Sequence, residues 1–196
     1  GYDHGRNAGT MLAGNHHVNK GGKFWLWGPN SEWDTRILTD NSGHYCELMV
    51  GAYSDNQPDY NWNFPYETKE FSQYWYGLRD IQGVKAGNRY AALNMENRED
   101  GKLFVGANVS EKFKNATLEL SRNGQAIWSR RCDISPASPV TADVQTDARE
   151  QDCVLRLMDA NGKEIAGYRP VVKDSSSPLP PIVDRPLLPQ QIENTE

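Results

Sequence analysis

From residue 102 to residue 168 the chain is built of short strand-forming runs closed by turns, and this constrains the fold most. Residues 102–109 and 116–121 read as strands. Asn123-Gly124 is a tight hairpin signal that leads into residues 125–128. Residues 140–144 and 153–158 continue the alternation, and Asn161-Gly162 turns the chain into residues 164–168. Short strands with regular turn signals predict an all-β unit of the immunoglobulin-like sandwich type over residues 89–173. No cluster of chemical groups stands out there, so the unit reads as an accessory or packing domain, with ligand binding as the less favoured alternative.

The N-terminal region has different chemistry. Trp25, Trp27, Trp33, Trp62 and Trp75, and all of His4, His16, His17 and His44, precede residue 90, whereas only Trp128 follows it. The boundary falls in the Gly-containing connection of residues 83–89. Phe24-Trp25-Leu26-Trp27 reads as an aromatic strand broken by Gly28-Pro29. Residues 33–40 fit either a helical turn or a loop. Residues 67–76 alternate, with Thr68, Glu70, Ser72 and Tyr74 opposing Lys69, Phe71, Gln73 and Trp75, which predicts a strand.

Between them lies the stretch from Tyr45 to Trp62, a strand that runs into a polar loop. Tyr45, Glu47, Met49 and Gly51 share one face of an extended segment. A carboxylate in an apolar strand costs free energy unless it is paired or used, so Glu47 is either a structural group bonded to loop amides or a reacting one. Asp55, Asn56, Gln57 and Asp59 in the loop supply carboxylates and amides that bond hydroxyls, while Tyr60, Trp62 and Tyr66 supply rings on which the apolar face of a sugar stacks. That combination favours a carbohydrate over an apolar ligand. Glu47 with Asp55 or Asp59 could also form the two-carboxyl pair of a glycosidase. Glu67 reads as a turn or strand-edge residue.

Other chemistry finds less support. The 196 residues carry a net charge of −5, which argues against a nucleic-acid binder that neutralises phosphates. No apolar run reaches the roughly 20 residues of a membrane span. His16-His17 cannot chelate one ion from a regular strand, and neither a His-Glu-x-x-His spacing nor a Cys/His cluster is present, so no metal or other cofactor is expected. Either histidine could be structural, or serve as a general acid or substrate donor. Cys46 reads as a buried small hydrophobe. Cys132 and Cys153 lie in separate strands, and both a disulfide and reduced thiols fit. Residues 174–196, rich in Pro and Ser, read as a linker or an extended arm over a domain surface.

The pattern Tyr2-Asp3-His4-Gly5, Gly22-Lys23-Phe24-Trp25-Leu26-Trp27-Gly28, Leu38-Thr39-Asp40, Glu47-Leu48-Met49 and Asp55-Asn56-Gln57-Pro58-Asp59 resembles an uncharacterised bacterial family. In that family a galactose mutarotase-like domain, akin to aldose 1-epimerases, precedes tetratricopeptide repeats. The resemblance covers roughly residues 1–90. It implies that residues 1–88 are the C-terminal part of a β-supersandwich, with the N-terminal half preceding and helical repeats following in the full-length chain. Glu47 matches the family's catalytic Glu by position; His16 and His17 cannot be equated with the epimerase histidines, which come from earlier in the chain. Pro65-Tyr66-Glu67 replaces the Pro-Gly-Glu turn of simple epimerases, and the 55–59 loop is more acidic and amide-rich than theirs. The resemblance leaves the compartment open between cytoplasm and periplasm.

Three functions follow as alternatives. In an enzyme, mutarotase-like or glycoside-cleaving, Glu47 would be the acid/base with Asp55 and Asp59 beside it, and His16, His17, Asn56, Gln57, Tyr60 and Trp62 would hold the sugar. In a non-catalytic glycan-binding module the same loop would bind without turnover. In a scaffold the region would only present helical repeats to partners.

Overall fold

A computed structural model describes residues 1–26, 46–55 and 60–171. Trp27, residues 33–40, the loop residues Asn56, Gln57 and Asp59, and the Pro-rich segment lie outside the described residues.

The described part of the N-terminal region forms two small antiparallel sheets. β1 (Tyr2–Asp3), β2 (Ala8–Gly14), β3 (Gly22–Leu26), β4 (Cys46–Val50) and β5 (Gln73–Arg79) follow in chain order. One sheet has the order β1-β2-β5 and the other pairs β3 with β4. β2 runs against β5 from Ala8 opposite Arg79 to Gly14 opposite Gln73. Residues 67–72, expected as the first half of that strand, are not in a sheet. Their partner stops at Gly14, because Asn15 opens a turn. Its carbonyl accepts the amides of Val18 at 2.9 Å and Asn19 at 2.7 Å, and its side-chain oxygen accepts that of His17 at 3.0 Å.

The remaining strands are β6 (Ala86–Gly87), β7 (Ala91–Asn97), β8 (Lys102–Val109), β9 (Phe113–Arg122), β10 (Gln125–Ile134), β11 (Val140–Gln145), β12 (Cys153–Met158) and β13 (Glu164–Tyr168). They make two four-stranded antiparallel sheets, β10-β9-β12-β13 and β11-β8-β7-β6. The β9–β10 hairpin turns on Asn123 and Gly124, both at positive φ (51° and 79°), as a two-residue turn matched to strand twist requires. The core lies between the sheets: Leu93 and Met95 from β7, Leu103 and Val105 from β8, meet Leu118 and Leu120 from β9 and Leu155 and Leu157 from β12. Leu155 stands opposite Leu120 and Leu157 opposite Leu118, so the two strands stack their leucines in register. Each such side chain contributes about 1.5–3 kcal/mol on burial.

β8 is buried on both faces. Leu103, Val105, Ala107 and Val109 enter the core. Gly106, on the other face, packs against Ile81, where an added Cβ would lie 3.2 Å from that side chain. Ile81, Leu78 and Ala92, with Tyr2, Met11, Tyr76 and Val84 against them, form a second apolar cluster that fastens the N-terminal sheet to the sandwich.

The cysteines are free. Cys132 pairs with Ala116 on one edge of β9, and Cys153 pairs with Arg122 on the other. Six residues of β9 separate those positions, about 20 Å at the usual strand rise, far beyond disulfide reach. Cys46, expected to be buried, is exposed on its two-stranded hairpin. Among the described residues no helix is long and apolar enough to cross a membrane, and no group of three or more His, Cys, Asp and Glu side chains could hold a metal ion.

Candidate functional site

Glu47 sits in the middle of the β3–β4 hairpin, directly opposite Trp25. Strand alternation puts Glu47 with Trp25 on one face, and Cys46 and Leu48 with Phe24 on the other. The Phe24 face looks across a cavity of about 810 Å³ to Tyr2, Leu12 and Trp75 of the β1-β2-β5 sheet. Glu47 is not part of that cavity's wall, and it is exposed. An exposed carboxylate keeps much of its hydration, so this position costs less than burial in an apolar strand would.

Asp55 is exposed at the other end of the hairpin. Its backbone lies against Gly21, where a Cβ would fall 1.7 Å from the Asp55 carbonyl oxygen; with φ at +57°, only glycine fits.

The loop after residue 60 is held by side chains, not by a ladder. Asn61 donates to the Tyr53 carbonyl at 2.7 Å, and Lys69 donates to Asn61 Oδ1 at 2.6 Å and to the Trp62 carbonyl. The Tyr53 hydroxyl donates to the Glu70 carbonyl at 2.5 Å. Glu67 accepts the Phe64 amide at 2.8 Å across the Pro65-Tyr66 turn, a structural task. Tyr60 and Trp62 meet edge to face with ring centroids 6.1 Å apart, and Trp62, Phe64 and Tyr66 expose their rings.

The described residues converge elsewhere, in a cleft of about 580 Å³ where the N-terminal sheet meets the sandwich. Asn15 borders it from the turn after β2, Glu70, Phe71 and Ser72 from the segment before β5, Tyr74 from β5, and Arg89 from the connection into β7. Phe71 is 52% exposed and Tyr74 40%, so both rings keep a face for a ligand. Asn88 also lines the cleft but is committed to the fold. Its Nδ2 donates to the Ile165 carbonyl at 2.7 Å, and its Oδ1 accepts the Tyr90 amide at 2.8 Å and the Ala91 amide at 3.1 Å. The guanidinium carbon of Arg89 lies 5.5 Å from the Tyr74 ring centroid and 4.4 Å from that of Tyr90. Hydrogen bonding to Arg89 lowers the Tyr74 phenol below its ordinary pKa, and bonding to Tyr90 raises that of Arg89.

His16 and His17 are exposed on the turn that Asn15 begins, with ring centroids 3.8 Å apart. They are on a turn, so the argument from opposite strand faces does not apply to them. Asn15, Phe71, Tyr74 and Arg89 were not legible as a site. Phe71 and Tyr74 read as members of one strand, and Arg89 as part of a connection. Only the pairing of β2 with β5 and the docking of Ile81 on the sandwich bring them together.

A family model described as "YphG-like protein, second domain" matches residues 86–168, from the first residue of β6 to the last of β13. No solved structure matches the chain.

Proposed function

We propose that this chain is a glycan-binding module whose ligand lies in the cleft between the N-terminal sheet and the sandwich. The observation that carries the reading is the lining of that cleft. Two half-exposed rings, Phe71 and Tyr74, stand beside Asn15, Glu70, Ser72 and Arg89, which together donate and accept hydrogen bonds. A sugar presents an apolar ring face and a rim of hydroxyls, and this lining matches both. Among the described residues Glu70 is the one carboxylate on the cleft wall, which favours binding there over the two-carboxyl chemistry of glycoside cleavage. The exposed rings of Trp62, Phe64 and Tyr66 offer further stacking area to a long glycan.

The same reading takes residues 1–88 as a piece of a galactose mutarotase-like supersandwich and residues 89–173 as an immunoglobulin-like sandwich. The family description "second domain" for the stretch starting at residue 86 supports a separate unit before it. The mutarotase-like resemblance keeps an enzymatic alternative, with Glu47 as acid/base.

Calorimetry and polarimetry on wild type, Phe71→Ala and Glu47→Gln separate the two. The module reading expects saturable oligosaccharide binding that weakens in Phe71→Ala, holds in Glu47→Gln and changes neither optical rotation nor product composition. Turnover that disappears in a folded Glu47→Gln would replace it with the enzyme.

A further inference from the structure

We infer that the cleft selects an acidic sugar, with the carboxylate of a uronate residue seated on Arg89. This rests on the glycan reading of the same cleft and specifies which glycans enter it.

The inference comes from how Arg89 is held. Arg79, Arg98, Arg122 and Arg156 each face a carboxylate, at 2.7, 3.4, 3.3 and 3.1 Å. Arg89 faces two phenols instead. Its Nη1 donates to the Tyr74 hydroxyl at 3.4 Å, its Nη2 donates to the Tyr90 hydroxyl, and both rings flank the guanidinium. Neutral oxygens and ring faces orient a guanidinium without cancelling its charge. Among the described residues no carboxylate pairs with it, and its other N–H donors are left for a ligand. A planar carboxylate matches that fork, and orientation by the two tyrosines removes part of the ordering cost of binding.

The rest of the lining fits the rest of such a sugar. Phe71 offers a ring face to the pyranose, and Asn15 and Ser72 offer hydrogen bonds to hydroxyls. Glu70, the cleft's acidic side chain, disfavours a second negative charge and accepts from hydroxyls. The ligand is therefore expected to place its carboxylate at Arg89 and its hydroxyls toward Glu70. Because Arg89 is exposed, the preference should weaken as salt rises.

The test uses the whole chain and matched probes: oligosaccharides of galacturonic, glucuronic and mannuronic acid, each beside its C6-reduced neutral counterpart. Calorimetry at low salt should show the acid form binding about tenfold tighter than the neutral one. In Arg89→Gln that ratio should fall toward one, and Arg89→Lys, which keeps the charge but not the fork, should hold an intermediate ratio. Circular dichroism confirms that each variant is folded. Equal affinity for acid and neutral forms, with Phe71→Ala still weakening both, would overturn the acidic preference and leave the glycan reading standing. Inorganic phosphate that binds as tightly as the uronates and displaces them would mark a bare anion site and overturn the sugar carboxylate. No binding by either form across the panel would overturn both readings.

Discussion

The hydroxyl of Tyr2 accepts the backbone amide of Gln82, 80 residues away in sequence, at 2.8 Å. It also accepts the Ile81 amide at 3.2 Å and donates to Asn7 Oδ1 at 2.6 Å. One phenol thus ties the first strand to the connection that leads into the sandwich, above the cluster of Leu78, Ile81 and Ala92. Removing it in Tyr2→Phe takes an acceptor from two backbone amides, one of which keeps Asn7 Oδ1 at 3.1 Å. A loss of about 0.5–1.5 kcal/mol is expected in urea denaturation, the net worth of a hydrogen bond whose amide donors are part-buried and exposed. A variant within 0.5 kcal/mol of wild type (roughly the scatter of surface substitutions) would show that the joint does not depend on this hydroxyl.

The sandwich core should respond more strongly. Leu120 is fully buried and stands opposite Leu155, so Leu120→Ala leaves a cavity between the sheets. The expected loss is about 2–5 kcal/mol in the same denaturation series. Phe71→Ala, at a half-exposed ring, should cost far less stability and instead weaken glycan binding, by about two- to tenfold for one aromatic contact.

Oxidation gives a covalent test of the strand order. Because β9 runs between Cys132 and Cys153, mild oxidant should produce no intrachain bond between them, read by peptide mass mapping without reductant. Burial pushes both thiols up in pKa, so labelling at neutral pH should favour the exposed Cys46. A Cys132–Cys153 peptide would contradict the sheet.

Alkaline pH should loosen the fold at two tyrosines. Burial raises the Tyr76 phenol to about 12, and burial with the Glu150 hydrogen bond raises Tyr168 to about 12. Both folded values exceed the unfolded value of about 10. Their stabilising contribution is complete below pH 10 and is lost as pH rises through 12. Stability measured from pH 9 to 12 should fall across that window, less steeply in Tyr76→Phe. A flat profile would show that neither phenol is held neutral by the fold.

Much of the sandwich was legible because its signals are local. Residues 102–109, 153–158 and 164–168 are strands at the bounds read from the sequence, and Asn123-Gly124 turns as its positive-φ residues demand. β7 escaped notice: Ala91-Ala92-Leu93-Asn94-Met95-Glu96-Asn97 has no β-branched residue, and only the cover on both sides makes it a strand. Residues 67–72 carried a strand pattern but had no partner beyond Gly14. Glu47 reads as costly because it is a charge in an apolar run, and its exposure in the folded chain lowers that cost. Arg89 gave no such signal, since its two tyrosines, 15 residues before it and next to it, surround it only after folding.

The most direct test of the cleft is chemical-shift mapping on the 15N-labelled chain, titrated with an oligosaccharide that binds. The account predicts shifts clustered at Asn15, Phe71, Ser72, Tyr74 and Arg89, with Trp25, Glu47 and Asp55 unmoved. Shifts concentrated on the β3–β4 hairpin around Glu47 and Asp55, with the cleft silent, would contradict it.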